Sequence, residues 1–297
     1  MLHWILDILR GIVMGICNII PGVSGGTMAV SMGIYDRVIY AANNIFRQFK
    51  KSFRELLPIL IGVLIGLFGF AALIGILLGT DSKDIPVTRL PTIFAFIGLI
   101  LGGLPAIYER VNMKNARIPG IILFLVFLAL VVVLPLLNHS ADQALDHSVG
   151  TILLMVLLGA IASSTMVIPG ISGSMIMMIL GYYNPVINTM NSLTKNGDWS
   201  SLVILLPYAI GLILGIVFIA KLMNFLLKKY AALTFCAIFG LVIGSPVALL
   251  VQNKECLPVA TTWNWIASVI CLVIGFALAW FMAALDKKQT QTGLEKG

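Results

Sequence analysis

The sequence predicts an all-α polytopic membrane protein built from two inverted-topology repeats, each a broken or re-entrant helix pair followed by three transmembrane helices. Three observations predict it. The first is composition: of 297 residues, 60% are hydrophobic and 10% charged, against about 25% charged in soluble domains. The second is a set of apolar runs at about 56–79, 90–108, 118–137, 202–227, 231–251 and 263–285, each near the ~20 residues that cross a ~30 Å hydrocarbon layer. The third is an internal repeat in which a proline–glycine break interrupts an apolar stretch twice.

The first break reads IIPGVSGGTMA, residues 19–29, and the second IPGISGSMI, residues 168–176. Aligning 20–39 with 168–187 gives nine identities in twenty positions. The likeness continues: LLPILIGVLIG (56–66) matches LLPYAIGLILG (205–215), and FIGLILG (96–102) matches IFGLVIG (238–244). The first repeat is therefore expected over 1–140, with its broken pair at about 1–46 and the spans at about 56–79, 90–108 and 118–137. The second is expected over 141–297, with its broken pair at about 149–190 and the spans at about 202–227, 231–251 and 263–285. A broken pair returns the chain to its starting side and three further spans make the count odd, so the second repeat should sit upside down.

Charge gives the same map independently. Arg47, Lys50, Lys51 and Arg54, then Arg110, Lys114 and Arg117, then Lys221, Lys228 and Lys229, then Lys287, Lys288 and Lys296 fall on one side with Arg10, fourteen basic residues against four on the other. Lys and Arg are retained in the cytoplasm, so both termini are expected there. The net charge of +7 is a topology signal and not a nucleic-acid footprint. His3, Asp7 and Arg10 stand where a signal peptide would carry a basic start, and no small-x-small site follows, so no cleaved leader is expected. The four cysteines are scattered, and neither they nor the three histidines have metal-ligand spacing; no metal, cofactor or disulfide is expected.

Irregular backbone at membrane depth leaves N–H groups unpaired at several kcal/mol each, and is tolerated only where protein or a polar ligand satisfies them. Pro21 ends one half-helix; Gly22, Gly25 and Gly26 permit a sharp turn and close approach. Ser24 is placed to cap the next half-helix, with Thr27 three positions on. Pro169, Gly170, Ser172 and Gly173 repeat the pattern, with Ser174 adding a hydroxyl. Two half-helix starts with free N–H groups, inverted about one axis, form a midplane anion site. The alternative is a purely structural hinge. Gly62/Gly66 and Gly211/Gly215 read as close helix packing, and Tyr35 and Tyr183 as interfacial anchors or as cavity hydroxyls. Arg37 reads as snorkelling or paired with its neighbour Asp36, or, with Asp36, as serving phosphate reception or coupling at the cytoplasmic mouth. Its counterpart is Pro185, preceded by Asn184, so the two mouths should differ.

The motifs NIIPGVSGGTMA and IPGISGSMIMMILGYYNPVI resemble those of the bacterial polyprenyl-phosphate transporter family over nearly the whole chain. The resemblance implies a flippase that returns undecaprenyl phosphate, the carrier lipid of cell-wall synthesis, across the bacterial inner membrane to the cytoplasmic leaflet. It implies an anionic polyprenyl lipid as substrate, no catalytic residues, and a motif on Pro21, Gly22, Ser24, Gly25, Gly26, Thr27, Pro169, Gly170, Ser172 and Gly173. The second copy departs from the first at Ser174 and Met175, which puts equal contribution by the halves in doubt. The alternatives are an undecaprenyl-diphosphate phosphatase-like enzyme and a permease for a small soluble anion. The phosphatase resemblance implies an Arg directly after the motif serine, where this chain has Gly25 and Gly173. No fixed cation at either break would neutralise a transferring phosphoryl group.

Overall fold

The structure is a computed structural model that describes residues 2–19, 25–45, 47–78, 86–111, 113–137 and 142–294. Twelve α-helices and no strand occur among them. The first six are α1 (Leu2–Ile19), α2 (Gly25–Ser31), α3 (Tyr35–Asn43), α4 (Phe49–Leu78), α5 (Arg89–Tyr108) and α6 (Met113–Val133). The second six are α7 (Val149–Val167), α8 (Gly173–Ile179), α9 (Tyr183–Asn196), α10 (Leu202–Lys229), α11 (Ala231–Gln252) and α12 (Thr262–Leu294). A long helix, a seven-residue helix, a short helix and three long helices thus occur twice in the same order.

Five stretches among the described residues are long and apolar enough to cross a membrane: Phe49–Phe70, Ile118–Leu136, Trp199–Lys229, Ala231–Gln252 and Thr262–Ala284. The remaining expected span, at 90–108, is the helix α5, whose apolar stretch Arg89–Pro105 falls short of that length. Its surroundings explain how it manages: Leu90, Ile93, Phe96, Ile97 and Ile100 are buried, so this helix meets protein rather than lipid. By contrast Phe68, Ile76, Ile213 and Phe218 stand exposed on α4 and α10, as lipid-facing side chains should.

The helices pack in pairs through glycine. A Cβ on Gly62 would lie 2.1 Å from the Ile8 carbonyl oxygen, and one on Gly66 2.3 Å from that of Ile12. The same arrangement holds α7 to α10, where Gly211 meets Val156 O at 2.1 Å and Gly215 meets Ala160 O at 2.3 Å. Gly98 and Gly102 bring α5 against Leu272 and Phe276 of α12, and Gly240 and Gly244 bring α11 against Phe124 and Val131 of α6. Small residues allow backbones to approach where lipid supplies no hydrophobic drive between helices. In all four pairs the contact numbers rise together along both helices, so each pair runs parallel. The Asn264 amide donates to the Val87 carbonyl at 3.0 Å, which sets the starts of α5 and α12 side by side.

The short helices α2 and α8 are about 10 Å long at 1.5 Å per residue and cannot cross the bilayer. Each ends the same way. Ile34 N–H reaches back to Ala29 O and Gly33 N–H to Val30 O, while Tyr182 N–H reaches Met177 O and Gly181 N–H Met178 O. Gly33 (φ 76) and Gly181 (φ 79) hold the left-handed position that an L side chain resists. In the second half the chain then closes on its own beginning: Gln143 N–H donates to Gly181 O at 3.0 Å, and the Asn184 amide reaches both Asp142 carboxylate oxygens at 3.2 Å. There α7 and α8 form a hairpin whose end meets the residues that precede α7.

Gly62→Ala is expected to lower the melting temperature of the detergent-purified protein by roughly 3–10 °C, from an overpacking cost of about 1–3 kcal/mol at about 2–4 °C per kcal/mol. Gly197→Asn, at a left-handed position (φ 66) with nothing within 4 Å, should shift it by no more than about 2 °C, because Asn visits that region readily.

Candidate functional site

The second break can be followed atom by atom. α7 stops at Val167, ahead of Pro169, which has no N–H to continue a helical ladder. Gly170 takes φ 87, and a Cβ there would lie 2.8 Å from the Leu241 side chain and 2.9 Å from its carbonyl oxygen. Glycine is needed at this position both for conformation and for space. Ser172 is extended (φ −96, ψ 128) at the N-cap of α8, but its hydroxyl does not cap. It shares a hydrogen bond of 2.9 Å with the Ser174 hydroxyl instead. The capping expected of Ser172 is therefore replaced by a hydroxyl pair.

Of the first break, Pro21, Gly22 and Ser24 lie outside the described residues. Gly25 opens α2, and its N–H donates to Asn18 Oδ1 at 2.9 Å. Gly25, Gly26 and Thr27 are buried along with the rest of α2. Thr27, 1% exposed, does not serve its own helix start: its hydroxyl oxygen accepts the N–H of Gly170 at 2.5 Å. The two motifs, 143 residues apart in the chain, are joined by that bond. Met175, where the second copy lacks the threonine, is buried, and its sulfur accepts from Gln252 Nε2 at 3.0 Å.

Beside the junction lies a cavity of about 230 Å³. At about 30 Å³ per water molecule it admits a headgroup and not a long tail. Its polar wall is Asn18, Ser172, Gly173 and Ser174; Tyr183, Tyr208 and apolar side chains complete it. Among the described residues no ionised side chain lines it. Few polar groups set in an apolar wall is the usual composition of a ligand pocket. Tyr183 is thus a cavity residue. Tyr35, 3% exposed, is buried in the core and is no interfacial anchor; its hydroxyl has no hydrogen-bond partner among the described residues.

Asp36 and Arg37 do not pair with each other. Neighbours on a helix point about 100° apart, and these two reach opposite ways: Asp36 to Arg110 at the end of α5, and Arg37 to Asp7 of α1 at 2.5 Å. Nor does a single helix carry the chain from the break out to Arg37, because α2 ends at Ser31 and the Gly33 turn intervenes. Sequence reasoning missed Asn18 and Gln252. Asn18 had a signal, since a lone amide in an apolar run beside a break calls for a partner; Gln252 sits at a helix end and had none.

Residues 14–263 match the profile of a family described as undecaprenyl phosphate translocase-like. The chain belongs to the undecaprenyl phosphate translocase-like family. It is 32% identical over 281 residues to a polyprenyl-phosphate transporter of Staphylococcus aureus, covering 93% of this chain and 94% of that one. It is 28% identical over 259 residues to a polyprenyl-phosphate transporter of Vibrio cholerae, covering 82% of this chain and 77% of the relative. No solved structure matches. The translocase-like family and both relatives are transporters by name and not enzymes, so the phosphatase-like alternative is set aside. With five stretches long and apolar enough to cross a membrane among the described residues, the chain is a multi-pass membrane protein of this transporter family.

Thr27→Val keeps the shape of the side chain and removes the acceptor of the Gly170 N–H. The buried N–H left behind costs about 1–3 kcal/mol, and thermal unfolding of purified protein should register the loss. Thr27→Ser retains the oxygen and should unfold within about 2 °C of wild type.

Proposed function

We propose that the chain is a flippase for undecaprenyl phosphate or a close polyprenyl phosphate, returning the carrier lipid to the cytoplasmic leaflet of a bacterial inner membrane for reuse in cell-wall synthesis. The observation that carries this reading is the Thr27–Gly170 hydrogen bond, which joins the two broken motifs beside a headgroup-sized cavity. The lipid follows from the relatives, which are polyprenyl-phosphate transporters by name. In this reading the phosphate is held by Ser172, Ser174, the Asn18 amide and the backbone of Gly173, which line the cavity, while the tail stays in lipid. Gly25, Gly26 and Gly170 form the turns behind it, with the Gly25 and Gly170 N–H groups bonded to Asn18 and Thr27. Pro21, Gly22, Ser24 and Pro169 shape the breaks, and Thr27 couples them.

The parallel pairs support an inverted arrangement of the repeats 1–140 and 141–297. The short link between α5 and α6 makes those two antiparallel. α5 runs with α12 and α6 with α11, so the second and third long helices of one half each run opposite to their counterparts in the other. The one-residue turn at Tyr230 between α10 and α11 extends the inversion to α10 against α4, and through them to α7 against α1. Such a pair of repeats exposes a shared midplane site to either side in turn. Both termini then lie on one side, which the distribution of Lys and Arg assigns to the cytoplasm.

Liposomes containing only this protein should move labelled undecaprenyl phosphate between leaflets. Gly173→Val should abolish that exchange, because a branched side chain would fill the cavity wall. Ser172→Ala should slow it by roughly five- to ten-fold, the loss of about 1 kcal/mol of hydrogen bonding. Wild-type protein that moves a small soluble phosphate and not the lipid would favour the permease. For topology, single cysteines at Gln48 and Lys228 should react only from the cytoplasmic face, and those at Asp142, Gly197 and Lys254 only from outside. Labelling of Gln48 and Gly197 from one face would defeat the inverted arrangement.

A further inference from the structure

A second cavity, about 390 Å³, lies away from the motif junction, between the starts of α1 and α4 and the helix α3. Trp4 and Asp7 of α1, Arg37 of α3, and Lys51, Arg54 and Glu55 of α4 line it. Three cations thus face two carboxylates. Behind the wall Arg10, 1% exposed, bonds the same Asp7 oxygen that holds Arg37, at 3.1 Å. Two guanidinium groups share one carboxylate, and Arg37 remains partly exposed on the cavity side.

The second half fills the equivalent positions without charge. Asp7 corresponds to Met155, Arg10 to Leu158, Arg37 to Pro185, Lys51 to Ser200, Arg54 to Val203 and Glu55 to Ile204. The correspondence is structural as well, since Gly11 on Gly62 and Gly159 on Gly211 make the same helix contact. Met155, Leu158 and Ile204 are buried together in one apolar cluster. The same helix junction is therefore built once from hydrocarbon and once from ions. Asp7 and Arg10 are buried, and apolar residues of similar volume commonly replace a buried ion pair without loss of stability, whereas Lys51 and Arg54 are exposed and Arg37 partly so. Packing does not account for the ions, because the other half packs without them.

A ligand does account for them. A phosphate monoester carries between one and two negative charges near neutral pH and offers three acceptor oxygens. Arg37 and Arg54 present planar forks suited to such oxygens and Lys51 a point charge. The cavity lies where the apolar run of α4 begins, and Trp4, part of its wall, is itself exposed. A cationic cavity edged by an exposed tryptophan at the start of an apolar helix fits a phosphate on an apolar chain better than a free anion. We propose that this cavity, whose charged residues the equivalent positions of the second half do not repeat, is a second headgroup site for a lipid phosphate monoester, with Arg37, Lys51 and Arg54 as its ligands. It rests on the reading of the chain as a polyprenyl-phosphate transporter, and it gives that transporter a loading or release station at one mouth only.

The test uses the full-length protein and farnesyl phosphate as the probe, with binding followed by calorimetry. The double variant Lys51→Ser with Arg54→Val installs the residues of the second half, whose equivalent junction shows that they are compatible with the fold. It should weaken binding roughly ten-fold or more, as the loss of two charge-assisted contacts implies. Lys228→Gln with Lys229→Gln removes the same formal charge elsewhere and should stay within about two-fold. Inorganic phosphate should compete with the probe and phosphatidylglycerol, a diester, should not. Unchanged binding by the Lys51/Arg54 variant would overturn the proposal. Equal competition by phosphatidylglycerol would overturn it as well, making the cavity a seat for ordinary bilayer lipid. Leaflet exchange by wild-type protein separates the two failures: exchange with undiminished binding in the variant defeats only this cavity, whereas no exchange defeats the transport reading itself.

Discussion

Within a bilayer a broken helix must find partners for the N–H groups that the break releases, and water is not there to supply them. In this protein the Gly170 N–H finds the Thr27 hydroxyl, and the Gly25 N–H finds the Asn18 side chain. Much else follows from these two bonds. They require α2 to lie against the second break, which requires α1 to turn back, which places Ser31 so close to α5 that a Cβ on Gly103 would sit 2.3 Å from its Cα. The long helices hold that arrangement in place, and their glycines set how near they can come. Since Thr27 belongs to one motif and Gly170 to the other, a movement of either break that separates them must replace this bond.

The large features were legible in the sequence because they are written in composition and spacing. Apolar runs marked the long helices, and glycines four apart marked where they touch: Gly62 and Gly66, Gly211 and Gly215. The repeat alignment paired Gly33 with Gly181 before any turn was assigned, and both proved to be left-handed helix stops. What could not be read was partnership across the chain. Asp36 and Arg37 are adjacent in sequence and look like a pair, yet their partners are 74 and 30 residues away. Ser172 and Thr27 have the residue types of helix caps and use their hydroxyls otherwise. Side-chain direction on a helix and tertiary proximity decide these cases, and neither is encoded in local spacing.

The two halves match in backbone and diverge in charge. Where α1, α3 and α4 meet, the first half has Asp7, Arg10, Arg37, Lys51, Arg54 and Glu55; the second has an apolar cluster, with Asn184 bonded to Asp142 and Ser200 to Asp198 nearby. A duplicated scaffold has thus been given two unlike ends. A symmetric pair of repeats would treat both faces of the membrane alike, whereas a lipid whose phosphate must be collected on one side and handed over on the other benefits from ends of different affinity.

The pairing of α5 with α12 and of α6 with α11 also bears on how the chain is made. Each pair joins one helix from each half, and the glycine face of α5 has its partner more than 170 residues downstream, at Leu272 and Phe276. A nascent chain emerging from the ribosome inserts the first six helices before that partner exists. Until α12 arrives, Gly98 and Gly102 face lipid or a chaperone rather than a helix, and the scaffold of the first half stays open. The α1–α4 and α7–α10 pairs can form within their own halves, whereas the α5–α12 and α6–α11 pairs form only once both halves are in the membrane. A helix made more than 170 residues later thus completes the glycine face of α5, and the packing of α5 is finished only when α12 is in the membrane.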